Sequence, residues 1–362
     1  MTTRRQFLSI SAGALALQAS GLSMAMPSKK PLSILFLGGT GFLGPHQINH
    51  ALARGHKVTM FNRGSNTGMY GDQVEEIIGN RDNNIDDGLS TLAGDRTWDV
   101  VIDNSGYVPR HVRDSAELLK DRCGRYIYVS TVAVYDFDVA SVFPESAKLA
   151  QLEDPSVEQV TGETYGPLKA ECDRIVQGIF ADRCTVVRPT YIVGPGDHTD
   201  RFTYYVDSVI KGGDVLAPGL PETEVQWVDA RDLCPWIVTL AENDTAGIFN
   251  AAGPASPMDR NGLMWGLRAQ TAEPVNFYWP SPDLLDEFGI SMPMMRQERG
   301  STHFDNTASM AAGLRYRSLA DTATGTLEWW QSQPEERRAS PRRWPDQEQV
   351  NKAIARLKAD AG

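Results

Sequence analysis

The stretch Leu32–Ile48, LSILFLGGTGFLGPHQI, leaves a run of strand-forming residues through glycines at 38, 41 and 44 and returns to helix-forming ones. No other segment narrows the possible folds as far. Pro31–Leu37 predicts a fully buried strand, and helical periodicity resumes over Gln47–Arg54. Glycines three residues apart between these two elements suit a dinucleotide turn. Gly38 permits the tight turn and Gly41 lets the backbone approach a pyrophosphate. Gly44 lets the helix pack close on the strand with its amino end toward the anion, and Phe42 and Leu43 line the same turn.

The pattern then repeats. HKVTMFN (His56–Asn62) predicts a second strand, GNRD (Gly79–Asp82) falls where a third would end, and WDVVIDNSG (Trp98–Gly106), GRYIYVSTVAVYD and CTVVRPTYIVGP add three more. Helical stretches at Arg110–Lys120 and Leu168–Phe180 alternate with them. Strand and helix in alternation predict an α/β fold, a Rossmann-type doubly wound parallel sheet. An acidic residue at the end of the second strand would bind a ribose diol, but Asn62 and Arg63 stand there. Arg63 can pair with a 2′-phosphate, so the expected cofactor is NAD or NADP, with NADP favoured. Asp82 is expected to face the adenine.

Composition closes off other classes. A net charge of -11 over 362 residues leaves no basic surface for a phosphate backbone, so nucleic acid is not an expected partner. Cys123, Cys172, Cys184 and Cys234 form no CxxC pair and no metal-ligand spacing, so no metal site is expected. Cys123 and Cys184 each precede an apolar run, which leaves a disulfide between neighbouring strands open. Residues 1–25 carry Arg4 and Arg5, an apolar core from Phe7 to Leu22 and a small-x-small site at Ser23-Met24-Ala25, the marks of a removable export signal. The string TRRQFL (Thr3–Leu8) resembles the twin-arginine signal, which predicts export to the periplasm. No later stretch reaches the about 20 apolar residues that span a bilayer.

At VSTVAVYD followed by TYGPLKAECDR the chain resembles the extended short-chain dehydrogenases/reductases grouped as the NAD-dependent epimerase/dehydratase family, from about Leu32 to the TLEWWQS stretch. Tyr165 and Lys169 form YxxxK, one helical turn apart on one face. The resemblance implies that Tyr165 is the general acid/base and that Lys169 supplies the charge that helps its phenol ionise while binding the nicotinamide ribose. Thr131 then orients the substrate oxygen with Ser130 beside it, and Pro189 and Thr190 line the nicotinamide side. Dehydratases of the family carry an Asp-Glu pair after that hydroxyl; Val132 and Ala133 stand here, which disfavours dehydration by that route.

The same resemblance implies a dinucleotide-binding domain over 31–193 plus 225–250 and a smaller, discontinuous substrate lobe over 194–224 plus 251–335. Residues 336–362 form a charged tail with a short terminal helix. His198 and Arg201, with Asp200 between them, are the expected substrate-side residues. RPTYIVGPGDHTDRF and DNTASMAAGLRYRSLADT are also similar to the chloroplast RNA-binding members of the superfamily; the acidic balance argues against that role here. The proline- and methionine-rich stretch PVNFYWPSPDLLDEFGISMPMM reads as a substrate-covering loop, a docking surface or packing filler. The expected activity is NAD(P)-dependent epimerisation of a carbohydrate-like substrate, by a homodimer. A simple reductase or dehydrogenase is the first alternative, and a non-enzymatic dinucleotide sensor or scaffold the second.

Overall fold

The computed structural model describes Ser28 and residues 30–294 and 302–361; the expected export signal lies outside them. Seven strands make one sheet: β1 (Ser33–Leu37), β2 (Lys57–Asn62), β3 (Val74–Ile78), β4 (Trp98–Asp103), β5 (Cys123–Val129), β6 (Cys184–Pro189) and β7 (Gly247–Ala251). Their spatial order is β3-β2-β1-β4-β5-β6-β7, every pair parallel. This is the doubly wound Rossmann arrangement. The order reverses between β1 and β4, and the crevice beyond their carboxyl ends is where such sheets hold ligands.

Side chains alternate across the sheet. Ile34, Phe36, Ile102, Ile127 and Val187 bury against α1 (Leu43–Ala53) and, further along the chain, α5 (Ala230–Glu242). Leu35, Leu37, Val101, Tyr126 and Tyr128 bury on the opposite face, against α2 (Pro109–Leu119) and α3 (Tyr165–Phe180). Because both faces are covered at the centre of the sheet, β1 (SILFL) is a nearly unbroken apolar run, whereas β3 at the edge reads VEEII. Each fully buried aliphatic chain stabilises by ~1.5–3 kcal/mol.

Both helices that border the crevice begin earlier than their periodicity predicts. α1 starts at Leu43 rather than Gln47, and α3 at Tyr165 rather than Leu168. Each passes through a Gly-Pro pair that reads as a breaker. A proline in the first turn loses no hydrogen bond, because that amide has no helical partner. A Cβ at Gly44 would lie 2.1 Å from the Gly39 carbonyl oxygen, and one at Gly166 2.3 Å from that of Ala133. Close packing selects glycine at both places.

A second apolar cluster builds the lobe. It joins Phe202, Tyr205 and Val209 of α4 (Arg201–Lys211) to Leu263, Met264 and Leu267 of α6 (Arg260–Arg268). Leu284, Leu285, Ile290, Met292 and Met294 are buried in it, so this part of the proline- and methionine-rich stretch packs the lobe. Val350, Ala353 and Ile354 of the terminal helix Gln347–Ala361 complete it.

All four cysteines are buried and free. Cys184 lies across from Tyr126 in the β5–β6 register. Cys123 is three residues further along, ~10 Å away at strand rise, beyond the reach of a disulfide. No helix among the described residues is long and apolar enough to cross a membrane.

Candidate active site

The glycine turn follows β1 directly. Gly38 has φ +81°, and a Cβ there would meet the Ser105 side chain at 2.9 Å. A Cβ at Gly41 would meet nothing within 4 Å, so the chain's backbone faces open space at the position expected to approach a pyrophosphate. The first turn of α1 holds no acidic residue, and Phe42 at its N-cap offers no side-chain hydrogen bond, which leaves amides free for an anion. At the end of β2, Asn62 Oδ1 accepts from the Gly64 amide at 2.6 Å while its buried Nδ2 has no partner among the described residues. Arg63 beside it is exposed. An open cradle, an uncapped helix end and an orphaned donor fit a nicotinamide dinucleotide. Asn104 pins the turn from β4, its Nδ2 donating to the Gly38 carbonyl at 3.2 Å and to buried Gln47 at 2.6 Å.

The loop that leaves β4, Asp103–Tyr107, joins this turn to the expected catalytic residues. On one side Ser105 Oγ donates to the Leu37 carbonyl at 3.0 Å. On the other, Lys169 Nζ donates to the Gly106 carbonyl at 2.8 Å and to that of Val129 at 2.8 Å. The Tyr107 ring lies 6.4 Å from that of Tyr165 and 5.3 Å from Lys169 Nζ. Below the loop, buried Arg81 donates to Asp103, to Ser105 Oγ at 3.3 Å and to Ser115 Oγ at 2.6 Å, and Tyr126 donates to the other Asp103 oxygen at 2.8 Å. Arg81, Gly106 and Tyr107 escape a reading of sequence motifs. The signal that would find them is the small-residue loop after the strand at the order reversal.

Tyr165 opens α3, with Lys169 one turn behind it and Thr131 facing its phenol. Burial pushes the phenol up to about 12; the Thr131 hydroxyl and the Arg201 guanidinium oppose that rise. Lys169, 2 % exposed, is pulled down to about 8 by burial. The cation expected to lower the Tyr165 phenol is thus itself penalised by desolvation. It rests on carbonyl oxygens and over the Tyr128 ring at 4.1 Å. Pro189 ends β6 opposite Ala251, and Thr190 donates its amide to the Ala251 carbonyl at 3.2 Å.

Other expected residues go elsewhere. Ser130 is buried, its hydroxyl near Asp173 but without a hydrogen-bond partner among the described residues, and Asp173 pairs with buried Arg188 at 2.9 Å. Asp82 gives its carboxylate to Arg110 at 2.8 Å and to the Asn84 amide at 3.0 Å, with His111 at 3.4 Å; these hold its carboxyl well below the usual range. It is therefore committed to protein partners rather than open toward an adenine. His198 is exposed and lies edge-on to Phe42 at 6.3 Å, above the glycine turn. Phe42 also packs against His46, whose Nε2 bonds the Pro195 carbonyl at 2.8 Å, so Phe42 anchors the lobe loop as well as the turn. Leu43 packs into the core. Asp200 is fully buried and held by Arg337 at 2.6 and 2.7 Å, so its carboxylate is taken by protein partners. Arg201 lies over the Tyr191 ring at 5.1 Å, and its charge acts on the Tyr165 phenol.

Three comparisons place this geometry. The chain is 25 % identical over 245 residues to the chloroplast stem-loop binding protein of 41 kDa b of Arabidopsis thaliana, covering 61 % of this chain and 58 % of that protein. It thus spans just over half the length of that relative. Among solved structures it is similar to the Bordetella bronchiseptica enzyme WbmG in complex with NAD and UDP, with TM-score 0.62 and 16 % identity over 84 % of this chain and 95 % of that one. It is also similar to UDP-glucuronic acid 4-epimerase from Bacillus cereus in complex with NAD, with TM-score 0.59 and 16 % identity over 82 % and 98 %. At that identity the likeness shows the fold. The family model described as NAD dependent epimerase/dehydratase matches residues 34–252, from β1 to just past β7. With more than half its length matched and the doubly wound sheet in place, the chain belongs to the NAD dependent epimerase/dehydratase family.

Proposed function

We propose that the protein is an NAD(P)-dependent epimerase that inverts a hydroxyl-bearing carbon of a sugar or similar polyol by transient oxidation and hydride return. The observation that carries this reading is the loop Asp103–Tyr107, which props the glycine turn through Ser105 and holds Lys169 through Gly106. A bound nicotinamide dinucleotide supplies a reversible hydride acceptor. The chain supplies the aim and the proton. Tyr165 Oη takes the proton from the substrate hydroxyl and returns it to the same oxygen at the end of the cycle, while Thr131 holds that oxygen in line. Two carbonyls fix Lys169 Nζ, which leaves its third N–H for a ribose hydroxyl. Since burial holds the phenol near 12, a positive charge brought beside it is what ionises it nearer neutrality.

Purified protein that is then denatured should release a dinucleotide whose mass distinguishes NAD from NADP. Turnover should leave the near-ultraviolet absorbance of reduced nicotinamide unchanged, and Tyr165→Phe should lower it about 10²–10⁴-fold with the dinucleotide still bound. Reduced or oxidised cofactor accumulating in step with product would replace this reading with a reductase or dehydrogenase.

Export extends the same argument. A precursor that folds before it crosses the membrane carries its dinucleotide along, and epimerisation returns that dinucleotide to its starting state, so no resupply is needed outside the cytoplasm. We therefore propose periplasmic function by the twin-arginine route, through residues outside those described. Replacing Arg4 and Arg5 with lysine should trap the precursor in the cytoplasm; unimpaired arrival would remove the claim.

A further inference from the structure

No carboxylate among the described residues reaches Lys169 Nζ at ion-pair distance; two carbonyls and two rings surround it. The Gly106 and Val129 carbonyls each accept from it at 2.8 Å, and the Tyr128 ring stands 4.1 Å away on the sheet side. Gly106, Tyr128 and Val129 are all buried. The Tyr107 ring, 5.3 Å from Nζ, belongs to a residue 46 % exposed, more than Tyr165 beside it. Lys169 itself is buried. The Tyr107 ring is therefore the wall of this box that faces water. A ring face holds an ammonium through its quadrupole without hydrating it, so the cation stays in place in dry surroundings.

Packing sets the ring there. The Gly106 carbonyl also accepts from Tyr128 Oη at 2.6 Å, which fixes the peptide leading into Tyr107. A Cβ at Gly106 would come within 2.7 Å of the side chains of Tyr128 and Val112, so the loop lies close on the sheet and α2. The Tyr107 hydroxyl has no hydrogen-bond partner among the described residues, so phenylalanine would hold the same place. Of the charges around Nζ, Asp103 at the end of β4 and Cys172 and Asp173 on α3 favour its proton, while Arg81 beyond β3 opposes it; burial outweighs them. Arg188 of β6 meets this set through Asp173. The phenols of Tyr107, Tyr128 and Tyr165 are all pushed up by burial and stay neutral. We propose that Tyr107 is a positioning residue whose ring keeps water off the Lys169 ammonium and thereby governs the charge that Tyr165 feels. The shield rests on the loop and the lysine alone; its effect on turnover rests on the epimerase reading.

Nuclear magnetic resonance of full-length, cofactor-free protein with isotope-labelled lysine ε-carbons tests this, the Lys169 signal being the one lost in Lys169→Met. In wild type and Tyr107→Phe the titration midpoint should lie near pH 8, because the ring is kept. In Tyr107→Ala water reaches Nζ, and the midpoint should climb by about one pH unit or more toward the ordinary 10.5. Tyr107→Leu, which keeps apolar bulk without the ring, should fall between and serves as the test where the alanine variant does not fold. Midpoints unmoved in both would overturn the proposal by showing that sheet and helix alone exclude water. A Tyr107→Phe midpoint raised as far as that of Tyr107→Ala would overturn it by assigning the effect to the hydroxyl. In turnover assays the alkaline limb of the kcat profile, where Lys169 loses its proton, should move up in Tyr107→Ala and stay in Tyr107→Phe. A raised midpoint in Tyr107→Ala alongside a wild type without epimerase turnover would keep the shield and discard the epimerase reading.

Discussion

Lys169 makes the residue-scale chemistry measurable without a substrate. Below pH 8 its ammonium is protonated in both the folded and the unfolded chain, and the folded state bears the full penalty of its burial. Between about 8 and the ordinary 10.5 the folded chain has released the proton while the unfolded chain still holds it, so the penalty is relieved as pH rises. Cofactor-free wild type, measured against Lys169→Met by chemical denaturation, should therefore gain relative stability across that window. A flat difference would mean that the ammonium is solvated. Tyr165, Lys169 and Thr131 are legible in sequence because a one-turn spacing and a short motif encode them locally. Tyr107 and Gly106 are not, because they arrive from the end of a different strand and owe their place to the sheet.

Two glycines of one turn separate structure from binding at the scale of the element. A Cβ at Gly44 would collide with the Gly39 carbonyl, whereas one at Gly41 would enter open space. Gly44→Ala should destabilise the fold, lowering Tm sharply and dinucleotide affinity with it. Gly41→Ala should leave Tm nearly unchanged and still weaken the dinucleotide by an order of magnitude or more. Equal Tm losses would mean that the turn does not divide its work in this way. The inner strands were legible because short apolar runs between turn residues admit few other readings, whereas the edge strands β3 (VEEII) and β7 (GIFNA) carry weaker patterns. The starts of α1 and α3 were not, since a Gly-Pro pair in a first turn obeys close packing and an orphan amide rather than propensity.

Across the whole molecule, the C-terminal segment is fastened to the lobe by the apolar face of its terminal helix and by one buried carboxylate, Asp200. Arg337 holds Asp200 with two hydrogen bonds, the Arg342 amide adds a third at 2.7 Å, and Trp344 donates to the Asp200 carbonyl at 2.9 Å. Arg337→Met would leave Asp200 charged and buried, so unfolding in denaturant should show a loss of about 3–5 kcal/mol. A loss under about 1 kcal/mol would make the clasp a surface contact. The sequence by itself determined the doubly wound sheet, the dinucleotide turn and the Tyr165–Lys169 pair, because each is written in spacing over a few consecutive residues. Only the tertiary structure decided that Ser130 and Asp200 are buried and that Arg81 and Tyr107 gather at the Asp103–Tyr107 loop. Burial and partnership depend on which distant segments meet, and no local pattern carries that information.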